Sequence, residues 1–279
     1  RTGQPGGLRR CCWPRPPRQR LITGPSPDTE HKAAGHWLVP QLLDSEWLAT
    51  INETLKTGAV NQGQQAGREA LLGIQADGSH LTADRFHQEL FALLTAPDLV
   101  AAVKQVSGLA AIRPLQFDLL TKAPGGQGTP WHRDRDFLPI DRQSYTCWIP
   151  LDPIPEHCTL VYAEGTAMLP PEQSDVPDQA SLRRLLVRHG APMRQLPAMQ
   201  PGDVDIHQGQ VWHYGPANNT PHWRRALGVA FVAEGTRLCA NPPGFAGPAG
   251  ARMRSTTLCT LFGAEAEGAL VQGSRHPVL

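Results

Sequence analysis

The chain has 279 residues, with 26 Lys and Arg against 25 Asp and Glu for a formal net charge of +1. No overall field therefore draws it to nucleic acid or to an anionic membrane surface, and the expected partner is a small molecule. No uninterrupted apolar run approaches the roughly 18 residues that a membrane span requires, and no apolar stretch of a secretory signal follows the first residues.

With 27 Pro and 27 Gly, turns are frequent, which suits many short strands better than a helical bundle. Six Cys form no CxxC pair and no zinc-like spacing, which fits a reducing, cytoplasmic setting. Cys147 stands in an apolar run and is expected to act as a small buried hydrophobe.

Residues 1–30 are rich in Arg and Pro, contain no acid before Asp28 and show no hydrophobic period, so they are expected to be disordered. Their prolines oppose the amphipathic helix of a transit peptide. Residues 31–279 are expected to form one domain. A short strand is expected from His36 to Pro40, then a helix capped by Asp44 or Ser45 and running through Leu55, with Trp47, Leu48, Ile51 and Leu55 on one face. Thr82 is expected to cap a second helix with Phe86, Leu90, Leu93 and Leu94 inward, and Pro97 to begin a third that ends near Gly108.

Beyond Gly108 the period changes to two. From Ile112 to Lys122, Leu115, Phe117 and Leu119 alternate with Gln116, Asp118, Leu120 and Lys122, so one face is apolar and the other is suited to lining a cavity. Further strands are expected at Tyr145–Leu151, Thr159–Ala163, Val204–His207 and Arg225–Ala233, the rhythm of a barrel or jelly roll. Residues 170–200 read as an insertion carrying a helix at Ser181–His189, and the last forty residues are only weakly patterned.

The chemistry is concentrated in Thr129-Pro-Trp-His-Arg-Asp-Arg-Asp136. His132 and Asp134 are one residue apart, so on an extended strand both side chains leave the same face. One imidazole and one carboxylate, completed by a distant His, make a facial triad that holds Fe(II) and leaves coordination positions open. The same tripeptide also fits a solvated surface loop. Asp136, in phase with Asp134, is the reserve ligand.

The candidate third ligand is His213, and 11 residues later Arg224 opens an apolar strand. Asp203, Asp205 and His207 compete as a metal set. Side chains spaced about 7 Å apart along one strand are too splayed for one ion. Asp203 is therefore assigned to a Pro-Gly-Asp turn and His207 to a hydrogen-bonded place in the pocket.

His132-x-Asp134, then His213 followed by Gly215, Asn218 and Arg224-Arg-Ala, resembles the phytanoyl-CoA dioxygenase family of Fe(II)- and 2-oxoglutarate-dependent oxygenases, over most of the chain from about His36 to the closing His276-Pro-Val-Leu. The resemblance implies a mainly β fold, a double-stranded β-helix (jelly roll, cupin-like) with flanking N-terminal α-helices. It implies iron held by His132, Asp134 and His213, and Arg224 pairing with the distal carboxylate of 2-oxoglutarate. Arg suits that task because its planar fork binds a carboxylate bidentately.

Lys122 resembles a cosubstrate-contacting position and Trp148 an aromatic that walls the same pocket; a solvated strand-end charge and a core aromatic are their plain alternatives. Gly215 stands where the namesake enzyme offers a hydroxyl to the cosubstrate, so that contact is missing here, and Asn218 is expected to shape the turn. Arg225 should face the opposite way. The implied activity is hydroxylation of a small molecule using O2, with release of succinate and CO2. Two other classes compete: a non-catalytic β-barrel binding module of the same shape, and a metal-dependent hydrolase, which has no need of Arg224 at this spacing. Nothing in the sequence points to an oligomeric state.

Overall fold

The computed structural model describes residues 33–53, 93–170 and 178–242 and, from 252 to 279, all but 253, 256, 257, 260, 261, 263, 274 and 275. The expectations for residues 1–30, for Leu55 and for the helix cap at Thr82 lie outside the described residues.

Two antiparallel sheets form the body. The five-stranded sheet runs in the order β1 (His36–Val39), β7 (Val204–Gln208), β4 (Ser144–Pro150), β9 (Arg224–Ala233), β2 (Ile112–Lys122). The four-stranded sheet runs β3 (Thr129–His132), β8 (Trp212–Gly215), β5 (Val161–Ala163), β6 (Met193–Gln195). Consecutive strands β7, β8 and β9 alternate between the sheets, as the jelly roll requires.

Alternation along each strand decides what faces where. One face of the larger sheet presents Trp37, Cys147, Ile149, Ile206, Leu227 and Val229 to the helices. Helix α1 (45–53) starts where Asp44 accepts a hydrogen bond from the Trp47 amide at 2.8 Å. Helix α2 (Pro97–Ser107) starts on a proline and ends at Gly108, whose φ of 72° is the left-handed conformation that glycine adopts without strain. Leu99, Val103 and Val106 of α2 pack on the sheet with Trp47 and Ile51 of α1. Each such buried side chain contributes about 1.5–3 kcal/mol. Cys147 belongs to this core, and burial pushes its thiol well up, which keeps it inert.

The insertion behaves as packing. Asp178 accepts from the Ser181 amide at 2.7 Å and starts α3 (Gln179–His189) two residues before the expected helix. Leu182, Leu185 and Leu186 of α3 then cover the outer side of the smaller sheet at Ala163 and Trp212.

Two strand expectations need correction. The strand expected from Thr159 begins at Val161, because the Thr159 hydroxyl is held by the carbonyls of Glu156 and Leu196 at 2.7 and 2.5 Å. In β2 a bulge between Pro114 and Gln116 splits the expected apolar face. Leu115 joins Leu138, Ala230 and Val232, whereas Leu119 packs against the helical side. Among the described residues, no helix is long and apolar enough to cross a membrane.

Candidate metal centre and cosubstrate pocket

His132 ends β3 directly opposite His213 of β8, and their ring centroids are 4.2 Å apart. Pairing at adjacent backbone positions thus joins two residues distant in sequence. Arg133 is extended (φ −124°, ψ 141°), which keeps the Asp134 side chain on the side of His132. At Asp134 the strand has already ended: Asp134–Asp136 is a 3-10 turn, so the extended strand expected through Asp134 is corrected.

The turn also removes the reserve ligand. With three residues per turn, Asp136 falls out of phase with Asp134 and instead pairs with Arg133 at 2.8 Å. Arg133 is itself buried, with its guanidinium 4.8 Å from the centre of the Trp212 ring.

The ligand atoms of His132, Asp134 and His213 all lie within 4.8 Å of one another. Asp134 Oδ1 is 3.6 Å from His213 Nε2 and 4.0 Å from His132 Nε2. Each imidazole has its Nδ1 beside a backbone carbonyl, that of Pro130 at 2.8 Å and that of Val211 at 3.1 Å. A carbonyl only accepts, so Nδ1–H donates and both Nε2 lone pairs point into the centre. Burial lowers both imidazoles, His213 to about 3 with His132 adding to the effect, so both are neutral and in the form a metal binds.

Asp134 is fixed through its other oxygen. Oδ2 accepts from the Thr146 hydroxyl at 2.5 Å and lies 3.1 Å from His207 Nε2. On its far side His207 Nδ1 is 3.1 Å from Asp205 and 2.9 Å from the Tyr162 hydroxyl, which donates to the same Asp205 oxygen at 2.5 Å. Burial opposes charge on His207, but its two carboxylate partners outweigh it and raise the imidazole to about 9. Burial likewise opposes the Asp205 charge, and His207 with His36 outweighs it, leaving Asp205 at about 2. His36 stacks on Tyr162 at 4.2 Å and reaches Glu164 at 3.2 Å.

His207 is thus the hydrogen-bonded pocket residue expected from the sequence. Asp203 accepts from the backbone amides of Gln200 and Gln41 at 2.7 and 2.9 Å and stays in its turn. Sequence reasoning missed Thr146, Tyr162 and His36; only the strand alternation of Thr146 with Trp148 hinted at the first.

Lys122 and Arg224 are direct partners across β2 and β9, and both are buried. Lys122 Nζ donates to the carbonyls of Gly215 and Pro216 at 2.9 and 3.0 Å. Arg224 Nη1 donates to those of Cys158 and Pro216 at 2.5 and 3.3 Å. Burial lowers Arg224 to about 10, still charged at neutral pH. Among the described residues no carboxylate pairs with it, and a buried cation supported only by carbonyls favours an incoming anion.

A Cβ at Gly215 would stand 3.3 Å from Lys122 Nζ and 3.5 Å from Arg224 Nη2, so the missing side chain keeps room beside both cations. Gly215 is two residues from His213 on one strand, roughly 7 Å away and on the same face. Trp148 is buried on this inner side with Leu160, Tyr162 and Ala226. Asn218 donates to the carbonyls of Lys122, Ala123 and His222, which staples the turn as expected. Arg225 faces the other way and pairs with Asp152 at 2.7 Å. A cleft of about 850 Å³ reaches Arg224 past Trp223 and Pro155 and does not include the His–Asp–His cluster.

A search among curated proteins gave no match. Solved structures of similar fold include the non-heme alpha-ketoglutarate-dependent carbocyclase SnoK from nogalamycin biosynthesis, with 19% identity and a TM-score of 0.70 over 90% of this chain and 94% of that one. The epimerase SnoN, in complex with Fe3+, alpha-ketoglutarate and nogalamycin RO, matches with 19% identity and a TM-score of 0.67 over 89% of this chain and 95% of that one. EvdO2 from Micromonospora carbonacea var. aurantiaca, complexed with 2-oxoglutarate, matches with 18% identity and a TM-score of 0.53 over 77% of this chain and 93% of that one. The family model of phytanoyl-CoA dioxygenase matches residues 32–226, and the chain belongs to that family of iron- and 2-oxoglutarate-dependent oxygenases.

Proposed function

We propose that this protein is an Fe(II)- and 2-oxoglutarate-dependent dioxygenase that hydroxylates a small molecule, with release of succinate and CO2. In this reading His132, Asp134 and His213 hold the iron, Arg224 pairs with the distal carboxylate of 2-oxoglutarate, Lys122 adds positive charge beside it and Trp148 walls the pocket. The observation that carries it is the direction of the three donors: two Nε2 lone pairs and Asp134 Oδ1 converge, while both Nδ1 atoms and Oδ2 are engaged elsewhere. Three protein donors suit a metal that needs open positions for other ligands.

Bound iron with 2-oxoglutarate and O2 supplies the oxidising power; the protein supplies position and enclosure. Thr146 and His207 hold one carboxylate oxygen of Asp134 so that the other is offered alone. The carbonyls of Pro130 and Val211 fix the tautomer of each imidazole. Arg224 meets a dicarboxylate with a permanent charge in a buried setting.

A binding module of the same shape has no need of two fixed imidazole tautomers, and a metal-dependent hydrolase has no need of Arg224. The test is to titrate anaerobic protein with Fe(II) and 2-oxoglutarate, following the visible charge-transfer band, then to admit O2 and a metabolite pool while measuring succinate and the mass of each product. A product with one added oxygen supports hydroxylation. Iron binding without conversion of 2-oxoglutarate, whatever the pool, leaves the binding module standing.

A further inference from the structure

The inner face of the barrel continues past the cosubstrate cations. Leu120 and Lys122 of β2 point inward, Leu120 against the Trp148 cluster and Lys122 beside Gly215 of the opposite sheet. Strand alternation puts Asp118, and after the bulge Gln116, on that same face. Their partners on β9 are Gly228 and Ala230, and Ala226 lies opposite Leu120. The strip of β9 between β2 and β4 therefore carries almost no side chain. A Cβ at Gly228 would meet nothing closer than Leu120 at 3.7 Å and Thr146 at 4.0 Å. Thr146 is the residue that holds Asp134.

Two polar groups overlook this bare strip, and neither takes part in the metal or cosubstrate site. Gln116 Nε2 donates to Asp118 Oδ2 at 3.2 Å. Gln116 Oε1 is enclosed and has no hydrogen-bond partner among the described residues. A buried acceptor left unmatched costs about 1–3 kcal/mol, so its retention points to a partner from outside. Burial pushes the Asp118 carboxyl up to about 7, against the Gln116 hydrogen bond and with help from the Asp134 charge. A donor brought to Asp118 would relieve the same penalty.

We infer that Gln116 and Asp118 anchor the substrate by accepting hydrogen bonds from a hydroxyl or ammonium group, so that its body lies over Gly228 toward Asp134. This inference rests on the oxygenase reading for the meaning of substrate. It assigns the polar end of the pocket to a donor-bearing group, in contrast to the Arg224 end, which takes an anion.

Three probes with the same ring test it: cyclohexanol, cyclohexylamine and cyclohexanone, which only accepts. Each is titrated against anaerobic protein loaded with Fe(II) and 2-oxoglutarate, and probe proton relaxation reports binding. At least one donor probe should bind about tenfold more tightly than the ketone, the size of effect one such hydrogen bond supplies. Whether cyclohexanol or cyclohexylamine binds more tightly identifies the donor as hydroxyl or ammonium.

Asp118→Asn and Gln116→Leu should each weaken the preferred donor probe about tenfold; the second keeps the test valid should the first not fold. A ketone bound as tightly as the donors, no probe bound at all, or donor affinity unchanged in both variants overturns the inference. If wild-type protein takes up neither iron nor 2-oxoglutarate, the oxygenase reading fails instead.

Discussion

His207 Nε2 lies 3.1 Å from Asp134 Oδ2, while the other oxygen of the same carboxylate faces His132 and His213. One side of Asp134 is thus tied down by a buried imidazole that is itself held between two carboxylates. His207→Ala should weaken Fe(II) binding about 10- to 100-fold, the range typical for residues that orient a metal ligand. Thr146→Val, which removes the other bond to Oδ2, should shift it in the same direction. Dissociation constants from anaerobic titration check this; unchanged affinity in both variants would remove His207 from its orienting role.

The ligand assignment predicts that His132→Ala and His213→Ala each abolish stoichiometric Fe(II) binding, since losing one of three protein ligands costs several kcal/mol of metal affinity. Asp136→Ala should keep the iron and instead lower the melting temperature, because Asp136 pairs with the buried Arg133. Asp134→Glu should lose turnover, as the extra methylene moves the carboxylate beyond the roughly 0.5 Å tolerance of a working site. Normal iron content in both histidine variants would show the ligands to lie elsewhere.

Arg224 and Arg225 are neighbours on β9 with opposite environments, one among carbonyls inside and one paired with Asp152 outside. Arg224→Ala should retain iron but weaken 2-oxoglutarate by a few hundredfold or more, since a buried carboxylate left unpaired costs about 3–5 kcal/mol. Arg225→Ala should leave that affinity within a few-fold of wild type. Titration of the charge-transfer band separates the two, and equal defects would contradict the inward orientation of Arg224.

Asp118 supplies a pH prediction. Its carboxyl is raised from 3.8 to about 7 in the folded state, so between those values the folded chain binds more protons than the unfolded one. Stability of the metal-free protein should therefore fall as pH rises from about 4 to 7 and then lose nothing more from this group. Asp118→Asn should melt higher than wild type at pH 8, with the gap closing toward pH 4. Melting curves across this range decide it; an equal gap at every pH would mean that the carboxyl ionises freely in the folded protein.

Much of this architecture is written locally in the chain. The link from the His-x-Asp tripeptide to a later His and Arg comes from a family resemblance, whereas the two-residue period of β2 after its bulge, the strand at β9, the cap offered at Asp44 or Ser45, and the proline and glycine that bound α2 follow from neighbours a few residues apart. Side-chain period and turn chemistry act over that range, so these features were legible without coordinates. What was not legible depended on residues that meet across the barrel. The 3-10 turn at Asp134, which takes Asp136 out of the cluster of His132, Asp134 and His213, is stabilised by a pairing to a buried arginine that rests on Trp212 of another strand. The grip of Thr146 and His207 on Asp134, and the placing of Gln116 and Asp118 opposite Ala230 and Gly228, arise from the register in which β2, β9, β4 and β7 lie side by side. Register places together residues 57 to 121 apart in sequence, and no local pattern encodes which of them will touch; burial of the apolar faces of both sheets selects it.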